Sequence, residues 1–206
     1  MKSVAIPESV TTIGVGAFRA CQSITALTIP QNITTIGDYT FCLCSSLESV
    51  FIPDGVRSIG YSAFSWCSNL KVISIPASVD IIYGHAFSDC ESLKSVYSYS
   101  QTPPSVSTRG DYYYDCPFDG TTYYNAALYV PEGYVEAYSS AEGWCQFQNI
   151  KTFDTDGFLD ILDDSGANVV PISYYNLKGE RFDYPQSGMN IIRYSNGQTK
   201  KVLITE

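Results

Sequence analysis

Apolar positions along the chain return every 23 residues. Ile-Pro stands at Ile6-Pro7, Ile29-Pro30, Ile52-Pro53 and Ile75-Pro76, and a Phe follows at Ala17-Phe18, Thr40-Phe41, Ala63-Phe64 and Ala86-Phe87. A cysteine comes three places after each Phe, at Cys21, Cys44, Cys67 and Cys90, and Ile24, Leu47, Leu70 and Leu93 close the units. Ile-Gly recurs at Ile13-Gly14, Ile36-Gly37 and Ile59-Gly60, while the fourth copy reads Ile82-Tyr83-Gly84. Self-similarity at this spacing marks a solenoid, because one such unit cannot bury its own apolar face and must stack on its neighbours.

Within each unit the pattern predicts two short strands and a turn. Residues 3–6, 26–29, 49–52 and 72–75 are β-rich and stop at Pro, so they should stack as a parallel sheet. Alternation turns Val4, Ile6, Leu27, Ile29, Val50, Ile52, Ile73 and Ile75 inward and leaves Ala5, Thr28, Phe51 and Ser74 outside. A second strand, such as residues 11–13, should end at a glycine suited to a sharp turn, and Ala-Phe should open a short helical turn.

The period breaks between Val96 and Leu128, where Pro103-Pro104 and Arg109-Gly110 mark a mostly loop-like excursion rich in tyrosine. Cys116-Pro117-Phe118 stands there where Ala-Phe would be, and Leu128-Tyr129-Val130-Pro131 restores the pattern. From Thr152 the chain changes again. Five aspartates fall between Asp154 and Asp164, followed by β-like runs with turn signals at Lys178-Gly179, Ser187-Gly188 and Asn196-Gly197. The expected fold is therefore mainly β: a parallel solenoid with short helical turns over residues 1–151, then a small antiparallel β domain over 152–206. Four regular repeats fill residues 1–92, and the tyrosine-rich insertion and a terminal repeat fill 93–151.

Charge and composition narrow the chemistry. Acids outnumber bases 21 to 12 in 206 residues, a net charge of -9, which argues against nucleic acid as partner because phosphate binding needs clustered Lys and Arg. The acidity belongs to the array and its linker, since residues 171–206 carry five bases and three acids. No stretch approaches the apolar length of a transmembrane helix. One histidine excludes sites needing two, and the lone His85 falls in the column of Gly16, Tyr39 and Ser62, which share no chemistry, so it reads as a surface residue. The aspartate run fails as a calcium loop, with Thr152 at the first ligand position and no closing Glu. No nucleophile, phosphate-loop or paired-carboxylate motif is present, so neither an enzyme nor a cofactor or metal is expected.

The seven cysteines divide into a ladder and a remainder. Cys21, Cys44, Cys67 and Cys90 are expected as small buried residues, because side chains in register point the same way and do not meet disulfide geometry. Cys42 stands apart, and a Cys116–Cys145 bridge is left open. Candidate binding residues are aromatic. Tyr97 and Tyr129 should join Phe51 on the exposed sheet face with Tyr99 nearby, and Tyr112, Tyr113 and Tyr114 sit between Asp111 and Asp115 in the insertion. Such a face takes a protein segment or stacks on sugar rings, and the tyrosines also suit a cover over the last coil.

The 23-residue unit resembles the BspA-type leucine-rich repeat, which reads approximately I-P-x-x-V-x-x-I-G-x-x-A-F-x-x-C-x-x-L. The resemblance covers residues 1 to about 98 strictly and resumes at Leu128, with Tyr138, Trp144, Phe147 and Ile150 after it. It implies a bacterial secreted or surface-exposed protein that adheres to host matrix proteins or other cells. Glycan binding and a purely structural spacer are the alternatives. Met1 occupies the column of the closing aliphatic residue, so the chain is expected to have lost a leader or earlier repeats. At the other end, Tyr175-Asn176-Leu177-Lys178-Gly179-Glu180-Arg181 with Gly188, Ile191-Ile192-Arg193, Gly197 and Lys200-Lys201-Val202 resembles the C-terminal sorting-type domain of proteins using the type IX export route. That resemblance implies export or anchoring, although Asn190 stands where such domains commonly carry Tyr.

Overall fold

The second to fifth turns of the chain each pass through two strands and a bend, and these parts stack on the same parts of neighbouring turns. The computed structural model describes residues 3–107 and 116–153, and strand residues 171–175, 181–182, 188–194 and 199–204. Two compact units result, Met1–Thr152 and Phe153–Glu206.

In the first unit, one face is built from β1 (Ser3–Ala5), β2 (Ala26–Thr28), β4 (Ser49–Phe51), β6 (Val72–Ile75), β8 (Ser95–Ser98), β10 (Ala127–Pro131) and β11 (Ile150–Phe153). The strands form two sheets, β1-β2-β4 and β6-β8-β10-β11. Pairing is parallel and in repeat register, Val4 opposite Leu27 and Leu27 opposite Val50, then Ile73 opposite Val96 and Val96 opposite Leu128. At the break between β4 and β6, the Lys71 amide still reaches the Glu48 carbonyl at 3.5 Å, and their side chains form an ion pair at 3.3 Å. Inward residues from Leu27 to Ile75 are buried as the alternation predicts, while Val4 and Ile6 of the first coil are half-buried.

The second face is a parallel sheet of β3 (Thr35–Ile36), β5 (Ser58–Ile59), β7 (Ile81–Tyr83) and β9 (Ser105–Ser107). Residues 11–13 of the first coil do not join it. Between the two faces each proline does two jobs. It ends the ladder for want of an N–H, and its carbonyl accepts the amide three residues on, from Val10, Ile33, Val56 and Val79.

The third side corrects the expected helical turn. Amides there alternate between their own coil and the next. Ala17, Arg19 and Cys21 donate to carbonyls three residues back, whereas Gly16, Phe18 and Ala20 donate to Asp38, Thr40 and Cys42. The next coil repeats this, with Tyr39, Phe41 and Leu43 donating to Tyr61, Ala63 and Ser65. An α-helix would turn every amide inward on its own coil and leave none for the neighbour. The alternation requires left-handed residues at two columns. Gly16, Tyr39, Ser62 and His85 have φ of +63°, +57°, +51° and +56°, and Ala20, Leu43, Trp66 and Asp89 lie between +59° and +63°. Each non-glycine there costs about 1–2 kcal/mol. The His85 column is thus defined by backbone conformation and not by indifference to its occupant, and His85 itself is half-buried, with its amide on the Cys116 carbonyl and Nδ1 3.1 Å from the Ser88 hydroxyl.

The Ile-Gly column has a different reason from the one expected. Gly37 and Gly60 do not have positive φ; a Cβ on Gly60 would lie 2.6 Å from the Asp38 nitrogen of the preceding coil, while one on Gly14, in the first coil, would meet nothing within 4 Å. Close approach of coils excludes a side chain there.

The core runs along the solenoid axis as a stack of rings. Phe18, Phe41, Phe64, Phe87 and Phe118 follow one another at centroid separations of 5.4, 5.2, 5.4 and 5.1 Å. Beside them the cysteine ladder is unbridged, and each thiol donates to the Phe carbonyl of the preceding coil, Cys44 to Phe18, Cys67 to Phe41 and Cys90 to Phe64 at 3.1–3.3 Å. Burial pushes the Cys44 thiol up from 9.0 to about 11, and those of Cys67 and Cys90 further in the same direction.

The insertion is more ordered than its loop-like composition suggests. It supplies β9 and the six-residue helix α1 (Gly120–Asn125), and its Phe118 ends the ring stack, so the step from Ser95 to its β10 partner Ala127 is 32 residues. Asp119 finishes two ladders at once. One carboxylate oxygen accepts the Asp89 amide, which in earlier coils would meet a backbone carbonyl, and the other caps α1 at the Thr122 amide, both at 2.7 Å. Over the last coil, Tyr123, Tyr138, Trp144 and Phe147 close the core, with α2 (Val135–Ser140) carrying Tyr138. Trp144 donates to the Pro104 carbonyl, and the Tyr138 hydroxyl bonds to Ser98 and the Ser100 carbonyl. Cys116 and Cys145 are both unbridged, and the Gln146 amide reaches the Cys116 sulfur at 2.8 Å.

In the second unit β12 (Pro171–Tyr175), β13 (Arg181–Phe182), β14 (Gly188–Tyr194) and β15 (Thr199–Ile204) pair antiparallel in the order β13-β12-β14-β15. The aspartates between Asp154 and Asp164 and the turns at Lys178-Gly179 and Asn196-Gly197 lie outside the described residues, as does Met1.

Two outcomes follow. Gly60→Ala should destabilise the array by about 1–3 kcal/mol in urea denaturation, because the added carbon meets backbone, whereas Gly14→Ala should be neutral or slightly stabilising. The raised Cys44 value makes its contribution complete below pH 9 and lost as pH climbs through 11, so the native midpoint should fall over that window more than that of Cys44→Ala.

Candidate functional site

The outer side of the first face is set by strand alternation, and its floor is small. Thr28 is exposed, and Phe51 and Ser74 are half-buried, in one column that register continues through Tyr97 to Tyr129. The expected aromatic strip is therefore present as a register column, but its members differ in access. Tyr97 is 6% exposed, which corrects the expectation of an open ring, because it is stacked on Tyr129 at 4.6 Å with ring planes 12° apart. Burial, with the nearby Tyr129 and Tyr99 hydroxyls, pushes its ionisation up. Tyr129 is half-buried, as is Tyr99.

The arrangement adds a residue that strand alternation in the repeats did not bring out. The Lys151 ammonium of β11 lies 5.9 Å from the centroid of the Tyr129 ring, a cation–π contact. Sheet order puts Tyr129 between Tyr97 and Lys151, so a cation and a buried ring bracket it. What this face can offer is a flat apolar surface at Phe51 and the Tyr129 edge, tyrosine hydroxyls, and the Lys151 charge. Glu48 and Lys71 pair with each other at the break between β4 and β6. Tyr112, Tyr113 and Tyr114, with Asp111 and Asp115, lie outside the described residues.

A second aromatic row stands on the laddered third side, where the sequence signal is hidden because its members come from two neighbouring columns, Tyr39 and His85 from one and Tyr61 from the other. Tyr39 and Tyr61 meet edge to face at 5.7 Å, Tyr61 and His85 at 5.4 Å, and the Arg19 guanidinium lies 5.6 Å from the Tyr39 centroid. Among the described residues, no group of three or more His, Cys, Asp or Glu is placed to hold a metal, and no helix is long and apolar enough to cross a membrane.

Solved structures share this architecture. A Treponema pallidum (T. pallidum) leucine-rich repeat protein superposes with a TM-score of 0.52 at 24% identity, over 74% of this chain and 70% of its own. The pneumococcal vaccine antigen PcpA gives 0.53 at 15% identity over 74% of this chain, which spans 42% of that protein. No curated protein matches the chain. The BspA type leucine-rich repeat region matches residues 1–116 in six copies, more than half of the sequence. The chain belongs to the BspA-type leucine-rich repeat family.

Proposed function

We propose that this protein is a non-catalytic binding protein of the bacterial surface or exterior, an adhesin that recognises host matrix or other proteins. The observation that carries the reading is the preformed sheet face of a BspA-type array, on which Phe51, Tyr129 and Lys151 stand on rigid strands over a small-residue floor. A rigid face costs little to order on binding, so aromatic anchors there contribute directly to affinity. Tyr99 and the tyrosines at residues 112–114 are proposed to take part in binding as well.

A protein ligand is favoured over a glycan. Sugar stacking needs an open ring face, and Tyr129 has Tyr97 against it on one side and Lys151 on the other. Glycan capture would have to displace Lys151, and the spacer role leaves the Phe51–Tyr129 column without a purpose. Residues 152–206 are proposed to form the small C-terminal β domain that exports or anchors the array. This is supported by the antiparallel order of β13, β12, β14 and β15 and by the motif around Gly188, with Asn190 as the departure.

The test is a binding array of immobilised matrix proteins, cell-surface proteins and glycans, read with the full chain. At least one protein should bind, and Tyr129→Ala and Lys151→Ala should each weaken it about fivefold or more without lowering the melting temperature by more than a few degrees. Binding to no protein, or to glycans alone, would overturn the reading.

A further inference from the structure

We infer that the laddered third side is a second docking surface, separate from the sheet face, and that it takes the basic side chain of a partner protein segment, arginine above all. Its centre is Trp66. This ring is 51% exposed, although tryptophan elsewhere in the molecule, at Trp144, is buried in the cap. Trp66 shares the column of Ala20, Leu43 and Asp89, and its amide donates to the Ser88 carbonyl of the coil that carries Asp89. Coils here are about 5.4 Å apart, as the stacked rings of Phe64 and Phe87 measure, so the backbone position of Asp89 follows that of Trp66 at one coil's distance. An aromatic face beside a carboxylate is the pairing that a guanidinium satisfies twice, by stacking and by charge.

Two further observations choose a cation over other occupants. The same side already holds one guanidinium against an aromatic ring, since Arg19 lies 5.6 Å from the centroid of Tyr39 in the coil before Trp66. The charge near Asp89 is also one-sided. Desolvation and then repulsion from Asp119 raise the Asp89 carboxyl above its usual range, with Glu91 adding to the repulsion and His85 opposing it. Asp119 spends both oxygens on backbone amides, so a cation arriving from outside would face Asp89 first. The array as a whole is acidic, with six bases and thirteen acids in residues 1–150, which would steer a basic segment toward it.

The experiment uses the full chain with a blocked tetra-arginine peptide, and tetra-glutamate as the control. Tetra-arginine should bind saturably by calorimetry and shield the exposed tryptophan from acrylamide quenching, while tetra-glutamate does neither. Trp66→Ala and Asp89→Asn should each weaken tetra-arginine about fivefold or more, and Trp66→Phe should retain most of the affinity. Both test variants should fold, because Ala20 already holds the same backbone conformation and asparagine is at ease in the left-handed region. Tyr129→Ala should leave tetra-arginine binding unchanged, which separates this surface from the sheet face. Affinity unchanged in both Trp66→Ala and Asp89→Asn would overturn the inference in favour of diffuse attraction to an acidic array, and so would absence of shielding.

Discussion

Every coil of this array must lie about 5 Å from the next on all three sides at once, and the side that makes this hardest is the bend. Strands meet the spacing through ordinary parallel ladders. A bend does so only if its amides alternate between their own coil and the neighbour, which holds two columns in left-handed conformation at residues as unsuited to it as Tyr39, Leu43 and Trp66. The Phe18–Phe118 ring stack, with centroids 5.1–5.4 Å apart, matches that spacing in the core, and Gly60 makes room for the backbone of the preceding coil. The thiols of Cys44, Cys67 and Cys90 fit the same rule, each small enough to stack and each bonded one coil back.

Much of this was legible from residue identity, and the remainder was hidden for definite reasons. Ile-Pro, Phe and Cys columns are conspicuous because burial restricts the side chain, so the first face and the core could be placed from spacing alone. The left-handed columns are defined by backbone conformation and not by a shared side chain, and Gly16, Tyr39, Ser62 and His85 therefore look unrelated although their backbones agree within 12°. Glycine in the Ile-Gly column suggested a turn, but the same residue also serves close approach, and only coordinates separate the two. The fifth coil is obscured by extra residues, since the step from Ser95 to Ala127 is 32 rather than 23, even though Phe118 keeps its place in the stack. Alternation placed Tyr97 on the outer side correctly but could not show that Tyr129 covers it.

The last coil meets the same demand without a further repeat. There Asp119 supplies carboxylate oxygen in place of a neighbouring carbonyl, and an aromatic cluster from Tyr123 to Phe147 replaces the next ring. In the first coil, Val4, Ile6 and Phe18 are half-buried. Between them the solenoid presents faces whose backbones are held by coil-to-coil bonds whatever side chains they bear. A repeat protein can therefore vary its surface without disturbing its core.

Hydrogen exchange of individual amides tests the central claim most directly. If the alternating ladder organises the array, the amides of Phe41, Leu43 and Phe64 will exchange only through cooperative unfolding, with protection equal to that of buried strand amides such as Ile73. Exchange of those amides at the rate of open surface turns, while the strands stay protected, would contradict the account.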